Sequence, residues 1–410
     1  MFVEIANSSR QYTWGSPTAI AEILGREPEL EREAELWFGA HPISPSRIRD
    51  SSMTGGCETL DEWIAADPET TLGPHRRADR LPFLLKLLAA DEPLSLQAHP
   101  SIEQARDGYA REDAAGIPLQ APNRTYKDEL HKPELVVALS ETFEALAGFQ
   151  NLDRTRAILV ELRSRAANEE DAALLDDLGG RLAGEPDAVL RDVVGWALSG
   201  ADDVARTLSA LQAAAQPSAA TSFPRETATL AELAERHPGD PGALVALLMH
   251  RVSLARGEAL YLPSGNIHSY QRGLAVEIMS ASDNVLRGGL TDKHVDAEEL
   301  REVLIFRPLP APRIEPLDEG RGVEVFRPDV PDFVLARVTP ASPTAAEAGH
   351  AAVRWTPPGA AIVLALGGPA EVVGERTRTE LAAGASVFVT PDEGRLTFTG
   401  TGTLFVASGN

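Results

Sequence analysis

The chain has 410 residues, of which 43% are apolar, and it carries a formal net charge of −23 at pH 7. This length allows two or three domains with sizeable cores, and the acidic balance leaves no basic stripe that could neutralise the phosphates of a nucleic acid. No basic leader and no apolar segment of membrane-spanning length are visible, so we expect a cytoplasmic protein with neither a membrane nor a nucleic-acid partner. The single cysteine, Cys57, excludes an internal disulfide and fits a reducing compartment.

In chain order, the predicted elements change character at about residues 150 and 250. Up to residue 150, short helical patterns such as TLDEWIAAD alternate with strand-like runs such as LSLQAH and ELVVAL. Between 151 and 250, apolar residues recur at three- and four-residue spacing, which predicts amphipathic helices. Strands return at GEALYLPSGNIHSY, and after a proline-rich connector the tail contains five short strand patterns, GAAIVLALGG, PAEVVGE, ASVFVTPDEG, RLTFTGTG and TLFVASG.

These patterns predict a mainly β protein with three units. Residues 1–150 and 251–318 would form one unit, and residues 151–250 would form an all-helical insertion in it. Because the tail shows no helical period, residues 319–410 are predicted to form a small C-terminal β domain of antiparallel strands.

The octapeptide LSLQAHPS, residues 94–101, places three polar side chains on one face of a predicted strand. Because side chains alternate along a strand, Ser95, Gln97 and His99 project together, whereas the apolar residues between them point the other way. On its own, such a polar face is more typical of a solvated sheet than of a binding site.

Two further segments carry residues of the same chemistry. In YKDELHKPELVVAL, Glu134 follows a proline at the start of a predicted strand, so its carboxylate can lie at the rim of a sheet. In GEALYLPSGNIHSY, the residues from Gly257 to His268 fit the pattern G-x5-P-x-G-x2-H. This pattern matches the second motif of the cupin superfamily, in which the histidine faces the inside of a small jelly-roll barrel.

Taken together, LSLQAHP, YKDELHKPE and IHSYQRGLAVEIMSASDNVLRGGLTDK resemble the type I mannose-6-phosphate isomerases, also called phosphomannose isomerases. The segment AELWFGAHPISPS near the start adds to the likeness, which covers about residues 1–310. The resemblance implies a cupin-type jelly-roll barrel that carries the metal site, a phosphosugar substrate and one Zn2+ per chain, and we expect a monomer. The zinc ligands that it implies are Gln97, His99, Glu134 and His268. Two imidazoles, one carboxylate and one amide oxygen form an N/O site of low charge, which leaves zinc strongly Lewis acidic.

The reaction that the resemblance implies interconverts mannose 6-phosphate and fructose 6-phosphate through an enediol(ate). It requires a group that stabilises the developing oxyanion, a group that moves a proton between neighbouring carbons, and an anchor for the phosphate. Arg287, in NVLRGGL, matches the arginine that the family treats as catalytic. The candidates for ring opening and proton transfer are Lys132, Asp283 and His131, with Glu277 as a further carboxylate at the substrate.

Lysine is scarce, since Lys86, Lys127, Lys132 and Lys293 are the only four and the other 34 of the 38 basic residues are arginine. Ser95, Lys86 and Lys293 match family positions associated with the phosphate end of the substrate. Lys86 stands in the apolar run LPFLLKLLA, where an unpaired charge is costly. It therefore requires either a buried partner or a ligand.

Two other functions stay open at this point: another metal-dependent cupin acting on a different sugar phosphate, and a non-catalytic sugar-binding cupin. The presence of Arg287, Lys132 and Asp283 weighs against a binding module, which needs no proton-transfer groups. Ser101 and Ile102 depart from the acidic–basic pair that many relatives carry there. The other histidines show no comparable partners and are predicted to be structural or solvated: His41, His75, His237, His250, His294 and His350.

Overall fold

The computed structural model describes residues 1–216, 221–340 and 352–409. Its helices are α1 (Ala19–Ile23), α2 (Leu60–Ala66), α3 (Pro68–Leu72), α4 (Ile102–Ala114), α5 (Leu152–Ser164), α6 (Glu169–Arg181), α7 (Pro186–Ala197), α8 (Asp202–Ala214), α9 (Pro224–Arg236), α10 (Gly242–Leu247) and α11 (Ala297–Val303). Among these helices, none combines the length and the hydropathy needed to cross a membrane.

Its strands are β1 (Phe2–Ala6), β2 (Glu35–Phe38), β3 (Arg47–Ile48), β4 (Phe83–Ala90), β5 (Gln97–Ala98), β6 (Glu134–Ala138), β7 (Thr142–Phe149), β8 (Met249–Ala255), β9 (Ala259–Leu262), β10 (His268–Ser280), β11 (Leu286–Arg287), β12 (Arg313–Ile314), β13 (Leu317–Gly320), β14 (Val323–Phe326), β15 (Val334–Val338), β16 (Val353–Trp355), β17 (Ala361–Leu366), β18 (Ala370–Val373), β19 (Arg378–Leu381), β20 (Ser386–Val389), β21 (Leu396–Gly400) and β22 (Thr403–Ser408).

Helix and strand occupy nearly equal shares of the structure, 29% and 28%, so the prediction of a mainly β protein is wrong. The reason is the stretch between β7 and β8, where the described residues form the six helices α5 to α10. Their apolar stripes pack into one core that includes Leu159, Leu190 and Leu208. The sheets are antiparallel, but their strands close no barrel within the described ranges, and the jelly-roll arrangement stays a prediction.

The long strand β10 connects two antiparallel sheets. Its first half, from His268, pairs with β5 and β7, and its second half, up to Ser280, pairs with β4 and β6. The change occurs at a bulge next to Gly273, whose φ of 122° suits glycine and where a Cβ atom would come within 2.8 Å of Ser140 Oγ. One strand therefore fixes the position of both sheets around the space between them.

Strand β4 is buried along its whole length because both of its faces are covered. On one face, Leu85 and Leu87 share a core cluster with Phe388 of the C-terminal sheet. On the other face, Leu88 joins the apolar cluster between the two sheets that β10 connects. This double coverage explains why the run LPFLLKLLAA is almost continuously apolar rather than alternating.

An eight-stranded sheet combines strands from both ends of the chain. Its strand order is β13-β14-β15-β22-β17-β20-β1-β3, and β1 lies beside β20 with Phe2 opposite Val389. A four-stranded sheet, β16-β21-β18-β19, packs against it through a shared apolar cluster. Each of the five strand patterns found in the tail forms a strand. The division of the chain into three units stays a prediction.

The segment LSLQAHPS is extended but forms a regular strand only at Gln97–Ala98. Before Gln97, the backbone N–H groups of Leu94 and Leu96 donate to the carbonyl oxygens of Tyr270 and Gly289. These hydrogen bonds are not part of a regular strand pairing. The predicted alternation is nevertheless present, because Leu96 packs into the core of the helices while Gln97 is only partly buried. The helices therefore pack against the apolar face of this segment, and its polar face points away from them.

We predict that replacing Ile5 in β1 by alanine lowers the free energy of unfolding by about 2–5 kcal/mol, the usual cost of truncating a buried aliphatic side chain. Ile5 is 2% exposed and belongs to the same core cluster as Phe388. Its neighbour Glu4 is exposed and lies 3.7 Å from Arg49 in a surface ion pair, so Glu4→Ala should change stability by only about 0.5 kcal/mol. Urea unfolding measures both variants, and equal losses would contradict the packing of β1.

Candidate metal centre

Three side chains from separate segments meet between the two sheets. His99 follows β5, Glu134 begins β6 and His268 begins β10. Their ligand atoms lie within 4.8 Å of one another. His99 Nε2 lies 3.2 Å from one oxygen of Glu134, and His268 Nε2 lies 3.3 Å from the other. All three residues are at most 4% exposed.

The hydrogen bonds of the two imidazoles place a proton on each Nδ1 and direct each Nε2 toward Glu134. His99 Nδ1 donates to the carbonyl oxygen of Asn284 at 2.7 Å, and His268 Nδ1 donates to that of Asn266 at 3.0 Å. Burial lowers the pKa of His99 to about 4, so this ring is neutral at pH 7. Both Nε2 atoms are buried and lack a hydrogen-bond partner among the described residues. Two lone pairs facing one carboxylate fit a bound cation, and the N/O donor set fits zinc.

Gln97 lies in the strand beside His268. The strand pairing places Gln97 opposite His268 on one side and opposite Arg287 on the other. Directly opposite residues of neighbouring strands project on the same face of a sheet. The three side chains therefore form a row that leads from the metal centre to Arg287, and a ligand role for Gln97 stays a prediction.

Lys86 has buried carboxylate partners. Its Nζ lies 3.0 Å from Glu277 and 3.6 Å from Glu35, and the hydroxyl of Tyr270 donates to Glu277 at 2.9 Å. Burial by itself would lower the pKa of Lys86, but the carboxylates of Glu277 and Glu35 outweigh burial and raise it. Burial also raises the pKa of Glu277, and Lys86 opposes that shift. Of the two possibilities for Lys86, the structure shows the buried partner.

The carboxylate of Glu134 also meets an ammonium group, since Lys132 Nζ lies 3.2 Å from its Oε1. Around the centre, the buried charged groups are the carboxylates of Glu35, Glu134 and Glu277 and the ammonium groups of Lys86 and Lys132. With all of them ionised, negative charge is in excess by one unit, and a buried unbalanced charge is costly. A cation at the two imidazole nitrogens would offset this excess.

Two cations lie at the other end of the row. Arg287 is half-buried and Lys293 is exposed, and in the described ranges no carboxylate oxygen lies within 4.0 Å of either. Burial lowers the pKa of Arg287, and partial burial together with the charge of Arg287 lowers the pKa of Lys293. An anion between them would relieve this repulsion. Ser95, predicted for the same end of the substrate, is partly buried.

Asp283 is paired with His41, a histidine that the sequence predicted to be structural or solvated. His41 Nε2 lies 3.4 Å from Asp283 Oδ1, and its ring meets Trp37 edge-on at a centroid distance of 5.0 Å. Burial lowers the pKa of His41, although the charge of Asp283 opposes this. Both residues line a cavity of about 350 Å³. His41 and Asp283 lie far apart in the chain, so no local sequence pattern indicated this pair. Of the other histidines predicted to be structural or solvated, His350 lies outside the described residues.

His131 and Glu277 have other partners. His131 Nε2 lies 2.8 Å from Asp332 of the C-terminal part of the chain, and His131 lines a second cavity, which adjoins that of His41 and Asp283. The two oxygens of Glu277 are occupied by Tyr270 and Lys86. Tyr270 was not singled out from the sequence, although its position two residues after His268 places it on the same strand face.

Asn284 holds the segment before β6 against the metal centre. Its side-chain oxygen accepts the N–H of Lys127 at 2.7 Å, and its amide group donates to the carbonyls of Asp128 and Leu130, each at 2.8 Å. Its own carbonyl accepts the Nδ1 proton of His99. This fully buried residue therefore orients one metal-ligand candidate. The sequence gave no signal for it, because it lies outside any strand or helix pattern.

Comparisons with known proteins show which family of chains this one is similar to. The model of the family described as phosphomannose isomerase type I, catalytic domain, matches residues 2–152. The mannose-6-phosphate isomerase of Salmonella typhimurium is 34% identical over 405 residues, 98% of each chain. That of Homo sapiens is 30% identical over 354 residues, 80% of this chain and 79% of the relative. A zinc-bound crystal structure of mannose 6-phosphate isomerase superposes with a TM-score of 0.86 at 32% identity and covers 100% of this chain and 99% of that one.

Replacing Lys86 by methionine is predicted to lower the free energy of unfolding by about 3–5 kcal/mol, because it leaves buried carboxylates without their cation. Adding Glu277→Gln to this variant should restore part of the loss, since it removes one of those charges. Urea unfolding of chelator-treated protein measures both effects.

The matched control for this experiment is Lys127→Met, which removes a partly buried lysine whose Nζ donates to the carbonyl of Leu119. Its expected cost is about 1 kcal/mol, the net contribution of one hydrogen bond. If Lys86→Met cost no more than this control, the buried pair with Glu277 would not exist in solution.

Proposed function

The chain belongs to the type I mannose-6-phosphate isomerase family, and we propose that it interconverts mannose 6-phosphate and fructose 6-phosphate with one zinc ion bound at the metal centre. The observation that carries this proposal is the convergence of two buried imidazole nitrogens, neither with a hydrogen-bond partner among the described residues, on one buried carboxylate. The zinc in the similar solved structure supports the choice of metal.

His99, Glu134 and His268 would hold the ion, with Gln97 as the fourth ligand. The orientation of both imidazoles is set before metal binds, because their Nδ1 protons are donated to backbone carbonyls. Bound there, zinc supplies a Lewis acid that favours negative charge on a substrate oxygen. The protein contributes the fixed donors and a buried surrounding that limits access of water.

We assign the proton movement to side chains around the centre. In the aldose-to-ketose direction, a base removes the proton from C2 of the open-chain sugar, an enediol(ate) forms, and the proton returns to C1 while the hydroxyl proton on O2 moves to O1. Lys132 is the first candidate for this transfer, since its Nζ lies beside Glu134 at the metal centre. Asp283, oriented by His41, is assigned to opening the sugar ring. His131 and Glu277 rank behind them because their polar atoms have other partners.

The phosphate and the developing oxyanion are assigned to the cations at the far end of the row. Arg287 and Lys293 lack carboxylate partners among the described residues, and Arg287 projects on the same face as Gln97. We place Arg287 against the charge that develops in the transition state, and Lys293 with Ser95 at the phosphate. Lys86 contributes positive potential from within its buried ion pairs rather than direct contact.

We also propose how the sheets and helices divide into structural units. The two antiparallel sheets that share β10 enclose the metal-ligand candidates, and we propose that they form a cupin-type core. Helices α5 to α10 would then be an insertion into this core, and the strands from β14 onward would form most of a second β unit. We further propose that the protein acts as a monomer in the cytoplasm.

The purified protein is predicted to carry about one zinc ion per chain and to lose activity when a chelator removes it. Elemental analysis and a coupled assay for fructose 6-phosphate measure the two quantities, and added zinc should restore turnover. His268→Ala should weaken zinc binding more than Gln97→Ala does, because an imidazole binds zinc more strongly than a neutral amide oxygen. Active protein without any divalent metal, or the reverse order of the two variants, would contradict the ligand assignment.

Arg287→Ala is predicted to lower kcat by a factor equivalent to about 2.7–4 kcal/mol, the usual effect of removing one oxyanion-stabilising donor. Lys293→Ala should instead raise KM with little change in kcat, since the phosphate is bound equally in the ground and transition states. Lys127→Ala is the control, because no role is assigned to that lysine. A large rise in KM with unchanged kcat in the Arg287 variant would make this residue a phosphate anchor.

A further inference from the structure

A second cavity, which we call the basic cavity, lies between the N-terminal part of the chain and the C-terminal strands. Its volume is about 510 Å³, and its basic residues are His75, Arg76, Arg77, Arg80, Arg106 and His131. This volume is within the range of small-molecule sites, roughly 300–1,000 Å³. None of the metal-ligand candidates lines it, and neither Arg287 nor Lys293 does.

Three exposed guanidinium groups of the basic cavity have no acidic partner in the part of the chain that the structure describes. Arg76 lies 2.5 Å from Asp79, and His131 lies 2.8 Å from Asp332. For Arg77, Arg80 and Arg106, by contrast, no carboxylate oxygen of residues 1–216, 221–340 or 352–409 lies within 4.0 Å. In a chain with a net charge of −23, three uncompensated cations around one cavity create a local positive potential that attracts anions.

The lining of the basic cavity also has an apolar part, which we call the proline wall. It contains Pro82, Pro331, Pro358 and Pro391, which come from both parts of the chain. Rigid apolar side chains of this kind can pack against a flat ring, whereas guanidinium groups bind phosphate oxygens in a bidentate manner. A ligand that contacts both the arginines and the proline wall carries several phosphate charges and a planar apolar group.

We propose that the basic cavity binds a nucleoside diphosphate, with its phosphates on Arg77, Arg80 and Arg106 and its base on the proline wall. Three cations match the charge of a diphosphate, and the cavity is large enough for the base as well. The basic cavity adjoins the cavity of His41 and Asp283, since Arg80, Leu81 and Leu130 line both. The proposal rests on the arginines and prolines of the basic cavity and does not depend on the function proposed above.

The test is isothermal titration of ADP into the zinc-loaded protein, with saturating mannose 6-phosphate present to occupy the substrate site. We expect ADP to bind under these conditions, more tightly than inorganic pyrophosphate, because the base adds contact with the proline wall. Binding should weaken as salt is added, as expected for an interaction between charged groups. No ADP binding at millimolar concentration, displacement of ADP by mannose 6-phosphate, or equal binding of pyrophosphate would overturn the proposal.

The variant R77A/R106A should weaken ADP binding at least ten-fold, since each removed guanidinium deletes a charge-assisted hydrogen bond. The control is Arg256→Ala, which removes an exposed arginine after β8 that does not line the cavity. If R77A/R106A fails to fold, R80A serves as the second variant and should also weaken binding. Unchanged affinity in these variants relative to Arg256→Ala would overturn the proposal.

Discussion

The structure depends on one bent strand, β10, which is hydrogen-bonded to four other strands. Its first half places His268 beside Gln97, and its second half places Glu277 beside Lys86. The positions of both pairs of side chains are therefore fixed by the register of a single strand. Because a slip of one residue would turn each of these side chains to the opposite face, the bulge next to Gly273 determines the site as much as the ligands do.

The buried charged groups that this strand brings together do not sum to zero charge when all of them are ionised. Three carboxylates and two lysines are buried together, and two imidazole nitrogens that lack a hydrogen-bond partner among the described residues face one of the carboxylates. Such an arrangement is costly in a protein interior unless a cation joins it. The excess negative charge destabilises the protein without a bound cation and favours the binding of one. Stability and metal binding are therefore coupled through the same residues.

The metal-ligand candidates were predicted by resemblance to a known family. His99, Glu134 and His268 lie in the three motifs that carry this resemblance, and the structure brings them together. The contacts of His41 and Asn284 were missed because their partners are distant in sequence and follow no strand or helix period. The fold class was wrong for a different reason: residues 151–250 were predicted to be helical, but the class was assigned from the strand motifs, although helix occupies as large a share of the structure as strand.

The pairing of β1 with β20 has a consequence for biosynthesis. Met1 contacts Thr390, which lies 389 positions later in the chain. Until β20 has been synthesised, the partner of β1 among the described strands is the two-residue strand β3, and the edge of β1 that faces β20 is unpaired. At typical elongation rates the synthesis of such a chain takes roughly 20 to 80 s. During that interval this edge of β1 is open, and an open strand edge can pair with another chain. The pairing of β20 with β1 removes this risk, because it covers the edge within the same molecule.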